Sequence, residues 1–344
     1  MENTILRYAV VGIASMGRSH IEGILNCPMT TLAAVCDIRE ELAKACAADY
    51  GLDRYYTDLD TMLQNEDIDV VIICTPDQVH REQTVAALRA GCHVLCEKPM
   101  ALELDDCRAM VQASRESGKK LMIGQVCRKA PGFVKAKELV DAGVIGELFF
   151  VESEYAHDYA RIPGMGGWRI DPVHLRYPVI GGGCHAIDLL RWIAGDPTET
   201  FAYSNRKMLT TWPVDDCTVA VLKFPNDVIG KVFTSVGCKR TYTMRTVLYG
   251  SKGTIFTDNT SPEITLQLEK LDADGKYLCI EEEKIPVEIN NHNVTSEIEE
   301  FSDAILNDKP VPTDGLQGAY TVAVGRAIVE SAETSRPVRI DYDI

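Results

Sequence analysis

The segment HVLCEKPMA, residues 93–101, runs a short apolar stretch directly into a carboxylate, an ammonium and a proline. Charge at the end of a buried strand answers no packing need. An ammonium such as that of Lys98 can donate to a hydroxyl or carbonyl oxygen, and partial burial lowers its pKa towards the range of proton transfer. The tripeptide can equally be a structural Glu–Lys pair at a helix start, where Pro99 also fits. A second candidate lies in PVIGGGCHAIDLLRWIAG, residues 178–195. His185 and Asp188 are three apart and share a helix face. The imidazole can carry a proton or fix a hydroxyl, or merely cap and pack the helix. Gly181 to Gly183 allow close approach of a ligand or a packed strand.

The stretch EYAHDYARIPGMGGWRIDPVHLRYP, residues 154–178, carries His157, Asp158, Tyr159, Trp168, Arg169, Asp171, His174, Arg176 and Tyr177. Aromatic faces and charged groups in this density suit a polyhydroxylated ligand, although some of them must pack the loop itself. His157 and Asp171 are candidate substrate contacts, as is Asp188. Arg128 could bind an acidic sugar or pair with a structural carboxylate. Cys184 and His185 are neighbours, with His157 and His174 upstream, which invites a metal reading. Adjacent helical residues point apart, however, and no C-x-x-C or H-x-x-x-H spacing occurs, so no metal is expected.

These groups need a scaffold. Apolar strand candidates at 5–11, 31–36, 70–74, 93–96 and 120–124 alternate with helical stretches. That order predicts a doubly wound, mostly parallel α/β sheet over residues 1–125, with ligands outside the C-terminal strand ends. The first turn reads Gly12-Ile13-Ala14-Ser15-Met16-Gly17, with Ala14 at the middle glycine of the G-x-G-x-x-G fingerprint. It follows a strand and opens a helix whose N-terminus can hold a pyrophosphate. Asp37 ends the next strand and can accept from an adenosine ribose. A carboxylate there repels a 2′-phosphate, so NAD is expected over NADP, with Arg39 weakening the preference.

VGIASMG, ICTPDQVH and VLCEKPMA, in this order and spacing, resemble the Gfo/Idh/MocA oxidoreductase family, and AGVIGEL, GWR, GGGCHAIDLLRWIAG and LYGSKGTI extend the resemblance along the chain. The resemblance implies that Lys98 is the catalytic or substrate-orienting lysine and that His185 belongs to the active site. It implies cofactor contacts from the first turn, Asp37, Thr75, Pro76, His80 and Glu97, and it places Trp168 and Arg169 near the cofactor. Gln125, at the domain junction, is grouped with them. One departure stands out: several sugar and inositol dehydrogenases of this family carry Asp four residues before the histidine, where this chain has Gly181. A Lys–Asp–His relay is therefore blocked at its middle member: either Lys98 and His185 suffice, or another carboxylate, Asp171, Asp158 or Asp188, takes the missing place.

From residue 126 to 344, longer alternating strands predict an α+β domain with an open, mostly antiparallel sheet, and amphipathic helices are expected at 296–306 and 315–333. EEEK at 281–284 reads as a solvated strand end. The open sheet face needs a cover, so a homodimer or homotetramer is expected. A formal net charge of −16 argues against nucleic acid and anionic membrane as partners. Twelve cysteines without a compact framework, and a start lacking a basic leader, point to reduced thiols in the cytoplasm. The reading that follows is NAD-dependent oxidation of a secondary alcohol on a sugar, glycoside or cyclitol. Its alternatives are a redox-neutral glycoside hydrolase or epimerase working through a transient ketone, and a non-catalytic NAD-binding sensor.

Overall fold

The structure, a computed structural model, describes residues 5–344. The reading of the chain start as a strand rather than a leader rests partly on residues 1–4, which lie outside the described residues. Two compact units result. The first takes the chain up to Gln125 together with Asn293–Val322 and Ile344; the second takes Val126–His292 and Ala323–Asp343.

In the first unit, β1 (Leu6–Val11), α1 (Ser15–Asn26), β2 (Thr30–Cys36), α2 (Glu40–Asp49), α3 (Leu59–Asn65), β3 (Val70–Ile73), α4 (His80–Arg89), β4 (His93–Cys96), α5 (Leu104–Ser117) and β5 (Leu121–Ile123) follow in turn. The strands form one parallel sheet in the order β2-β1-β3-β4-β5. Val70–Ile73 and Val94–Cys96 are buried throughout, as strands covered on both faces must be. The chain steps outward from β1 to β2, then returns to the other side of β1 for β3. That reversal is where doubly wound sheets place their ligands.

The second unit contains α6 (Pro131–Asp141), β6 (Leu148–Ala156), α7 (Pro178–Gly181), α8 (Cys184–Ala194), β7 (Glu199–Asn205), β8 (Cys217–Lys223), β9 (Ile229–Ser235), β10 (Thr243–Gly250), β11 (Gly253–Asp258), β12 (Glu263–Leu271) and β13 (Tyr277–Pro286). With β14 (Val338–Arg339) they form a nine-stranded sheet, β13-β12-β11-β10-β6-β9-β8-β7-β14, in which the β6–β9 pair is parallel and the other pairs antiparallel. Strand β8 shows the logic of its faces: Thr218, Ala220 and Leu222 point inward, while Val219 and Val221 lie on the exposed face. The acidic run 281–284, expected as a strand end, instead lies inside β13. Its charges are met by direct cross-strand partners, Gln267 bonding Glu282 at 2.9 Å and Lys284 bonding Thr265 at 2.6 Å.

The expectation of one continuous domain from 126 to 344 differs from the packing. Helix α9 (Val294–Leu306) belongs to the first unit, and α10 (Gly315–Thr334) is divided between the units after Val322. The reason is an apolar one. Ile298 and Val294 of α9 fill the space beside Gly23 of α1, and Ser302 hydrogen-bonds the buried Tyr8 hydroxyl at 2.7 Å. Without α9 that flank of the β1 layer would be bare.

Candidate active site

The first unit presents its turn and strand ends together. Gly12 has φ +83°, and a Cβ there would lie 2.8 Å from the Cys74 carbonyl carbon at the end of β3. A Cβ on Gly17 would lie 2.1 Å from the Gly12 oxygen. Both glycines are therefore required, whereas Ala14 tolerates its methyl as the residue before α1. Ser15 is exposed and Met16 half-buried. The α1 N-terminus has neither a side-chain cap nor an acidic residue in its first turn, which leaves its N–H groups suited to an anion.

Asp37 is 4% exposed at the end of β2. It accepts from the Ile13 N–H at 3.1 Å, and from Arg39 through N–H at 3.0 Å, Nε at 2.7 Å and Nη2 at 2.6 Å. Burial pushes its pKa up, but these bonds, led by the Arg39 guanidinium, outweigh burial and hold it below the usual value. Arg39 thus covers the carboxylate that would meet a ribose, and it must swing aside for both Asp37 oxygens to accept a diol.

Lys98 follows β4 and is half-buried. Its backbone N–H donates to Glu97 Oε2 at 3.2 Å, and its ammonium has no hydrogen bond or ion pair among the described residues. Glu97 is 7% exposed and its Oε1 meets His20 Nε2 of α1 at 2.8 Å. Burial alone would raise the Glu97 pKa; the His20 bond, with Lys98 nearby, brings it down to about 2, so Glu97 is a carboxylate at any working pH. Thr75 donates from Oγ1 to Gln83 at 2.6 Å and, with Pro76, is half-buried. His80 is spent on two backbone oxygens, Thr75 at 2.9 Å and Pro99 at 3.0 Å. Gln125 is 1% exposed, and its Oε1 is buried without a hydrogen-bond partner. An orphaned acceptor, an uncapped helix start and a glycine turn fit a dinucleotide along these strand ends.

In the second unit, His185 is 2% exposed on α8. Its Nδ1 lies 3.1 Å from Cys127 Sγ, and its ring stacks on Tyr155 at 6.0 Å. The Tyr155 and Tyr159 hydroxyls are 2.7 Å apart, and His157 packs between Tyr159 and Tyr242 at 5.0 and 5.1 Å. Burial, then the Arg169 charge, lowers the His157 pKa, so His157 is a neutral donor–acceptor at neutral pH. The Arg169 guanidinium sits 4.5 Å from the Trp168 ring and 5.6 Å from that of Tyr159, and Arg176 lies 4.9 Å from Trp168. A Cβ on Gly181 would come within 2.1 Å of Arg176 Nη1, and one on Gly182 within 2.4 Å of Tyr155. The three glycines admit packed side chains, and a guanidinium occupies the ground beside position 181.

None of the three carboxylates considered for the empty relay position is uncommitted. Asp188 takes a bidentate bond from Arg128, 2.7 Å to each oxygen, with both residues buried. Asp171 holds His174 at 2.9 Å and caps the Val173 N–H; its pKa is lowered, chiefly by His174. Asp158 bonds Lys239 at 3.0 Å and the Ala160 N–H. Arg128 and Asp188, separate candidates by sequence, are one buried pair. No group of three or more His, Cys, Asp or Glu that could hold a metal occurs among the described residues.

Residues 6–125 match the family model described as oxidoreductase family, NAD-binding Rossmann fold, and residues 133–256 match the GFO/IDH/MocA C-terminal domain. This chain is a Gfo/Idh/MocA oxidoreductase. It is 28% identical to the 1,5-anhydro-D-fructose reductase of Ensifer adhaerens, over 97% of this chain and 98% of that one. It is 26% identical to the myo-inositol 2-dehydrogenase of Thermotoga maritima, over 98% and 99%. A levoglucosan dehydrogenase solved with NADH superposes with a TM-score of 0.89 at 22% identity, covering 98% and 99%, and it shares the fold. The resemblance seen in the motifs thus holds for both halves of this Gfo/Idh/MocA protein. Its motifs gave no place to His20, Cys127, Tyr155 or Tyr242. The one signal for His20 was a histidine on the apolar face of a helix, three residues past Gly17.

Proposed function

We propose that the chain oxidises a secondary alcohol on a sugar, glycoside or cyclitol, or reduces the matching ketone, with Lys98 and His185 assisting proton transfer. The observation that carries this reading is the half-buried Lys98 ammonium, unbonded by the described residues, at the C-terminal end of β4. The carbinol carbon gives up a hydride and its oxygen a proton. The hydride acceptor would be the nicotinamide of a dinucleotide held by the turn at residues 12–17, Asp37 and Gln125. In oxidation Lys98, as its amine and with the help of the His185 imidazole, takes the hydroxyl proton; in reduction the Lys98 ammonium gives that proton to the ketone oxygen. Arg169, Trp168 and His157 offer the faces and donors a ring of hydroxyls needs. Asp37 favours NAD; Arg39 leaves NADP usable. Relatives named for an anhydrofructose, an inositol and levoglucosan support the substrate class.

The test is purified protein with NAD or NADP and a panel of free sugars, uronates, inositols and aryl glycosides, following nicotinamide absorbance and products together. Stoichiometric reduced cofactor with a keto product is the expected outcome. Product without accumulating reduced cofactor would replace it by the redox-neutral hydrolase or epimerase reading. Binding of cofactor with no product from the panel would leave the sensor reading standing.

We also propose a homo-oligomer, a dimer or tetramer. Tyr203 (67% exposed), Val219, Val221 and Ile229 form an open apolar face on β7, β8 and β9, and a second copy would cover it. Sedimentation velocity at micromolar concentration should show a species heavier than one chain; a monomer there would overturn the proposal. The twelve unbridged thiols, of which only Cys279 is exposed, support placement in a reducing compartment such as the cytoplasm. No helix among the described residues is long and apolar enough to cross a membrane.

A further inference from the structure

His80 is 1% exposed, and each of its ring nitrogens faces a backbone carbonyl oxygen: Nδ1 faces Pro99 at 3.0 Å and Nε2 faces Thr75 at 2.9 Å. A carbonyl oxygen can only accept. A neutral imidazole carries one N–H and one lone pair, so it would satisfy one of these oxygens and set its lone pair against the other at hydrogen-bond distance. Only the imidazolium donates both ways. We propose that His80 is a buried positioning residue, doubly protonated at neutral pH, that ties the Thr75-Pro76 turn after β3 to the Lys98-Pro99 segment after β4. The tie fixes where the Lys98 ammonium stands. This rests on the reading of Lys98 above for its purpose, but not for its chemistry.

The surroundings support a cation there. Cys96 of β4 and Asp77 of the turn before α4 face the ring, and Cys107 of α5 lies in the same buried cluster as Cys96. Burial by itself would drive the ring neutral. The Cys96 thiol, Asp77 and the Thr75 carbonyl outweigh it and push the His80 pKa up to about 9. The raised value fixes the sign: the stability the clamp adds is fully present below the ordinary histidine value of about 6.5, and the clamp itself is lost as pH rises through the folded value. The segment has a second restraint on its other side, where His20 holds Glu97. Residues 97–99 are thus gripped from α1 through a side chain and from α4 through a main-chain oxygen. Only the second grip depends on a proton that alkaline solution removes.

The direct test needs neither substrate nor cofactor. Nitrogen-15 NMR of the histidine-labelled full chain resolves seven imidazoles. At pH 8, one ring should keep a proton on each nitrogen and lose one of them only at higher pH. His93 and His157, both lowered, cannot supply that signal. The doubly protonated signal should vanish in His80→Gln. Seven neutral rings at pH 8, or a set of doubly protonated rings unchanged by His80→Gln, would overturn the assignment.

Activity then asks whether the clamp positions Lys98. His80→Gln can donate to one carbonyl only, and turnover should fall between about tenfold and a hundredfold, the scale of a small misplacement of a reacting group. KM for the cofactor should change far less. The alkaline fall in the wild-type turnover should share its midpoint with the NMR titration and be absent from the variant. A variant with wild-type turnover and the same alkaline limb would overturn the positioning role while leaving the charge state intact. If His80→Gln fails to fold, the wild-type NMR titration and the wild-type pH profile decide between themselves, because mismatched midpoints overturn the link. An inactive panel with the doubly protonated ring present would fault the substrate reading alone.

Discussion

Lys98→Met is expected to leave NAD binding nearly unchanged and to lower turnover by at least about a hundredfold, the low end of what a positioned acid–base group contributes. Methionine keeps an unbranched apolar stem of similar reach and removes only the ammonium. The Nζ makes no hydrogen bond or ion pair among the described residues, so its loss strands no partner and should not disturb the fold. The cofactor turn, Asp37 and Gln125 stand apart from the substitution. Fluorescence titration with the reduced cofactor separates binding from chemistry, and thermal melts guard against a folding defect. Turnover equal to the wild type would remove Lys98 from the mechanism. A loss of cofactor affinity matching the loss of rate would make it a binding residue instead.

The second large effect concerns stability. Arg128→Leu leaves the Asp188 carboxyl 0% exposed and stripped of its bidentate partner. Arg191 remains, but at 3.8 Å it offers charge without a good hydrogen bond. Breaking a buried pair in this way costs about 3–5 kcal/mol, which corresponds to a fall of roughly 10 °C in melting temperature for a unit of this size. The double variant Arg128→Leu/Asp188→Leu should recover much of the loss, because the Asp188 carboxylate goes with its partner and the buried Arg191 keeps its bond to Asp196 at 2.7 Å. Calorimetry of the two variants and their combination decides the matter. If Arg128 instead served an acidic substrate, the single variant would melt normally and lose activity on uronates alone.

The parallel sheet was legible because its strands are mostly apolar runs alternating with helical stretches and its first turn needs glycine at two positions. Gly12 and Gly17 are fixed by backbone approach, a constraint that leaves a residue-level mark. The edge and extent of β13 were less so: its cross-strand polar pairs have no period that separates them from a solvated tail. The fate of the polar loop was hidden for another reason. Asp158, Asp171 and Asp188 look alike as letters, and only three dimensions reveal that each already holds a basic side chain. Cys127 against His185 and His20 against Glu97 join positions 58 and 77 residues apart, and no local pattern encodes such meetings. The arginine beside Gly181 is only five residues away, but the irregular loop that turns it back has no spacing to announce the contact.

The return of α9 to the first unit has an evolutionary and practical side. A gene fragment ending at residue 125 would encode all five strands of the nucleotide sheet yet omit the helix that lies on α1. Val294, Ile298 and Ser302 would be missing, and the Tyr8 hydroxyl would lose its partner. Such a fragment would expose an apolar stripe and tend to aggregate. The nucleotide-binding half is therefore not a cassette that recombination can lift out at one boundary. Exchanging it between relatives requires two separate stretches of sequence to travel together, and a chimera joined at residue 125 alone would carry one parent's α9 against the other parent's α1.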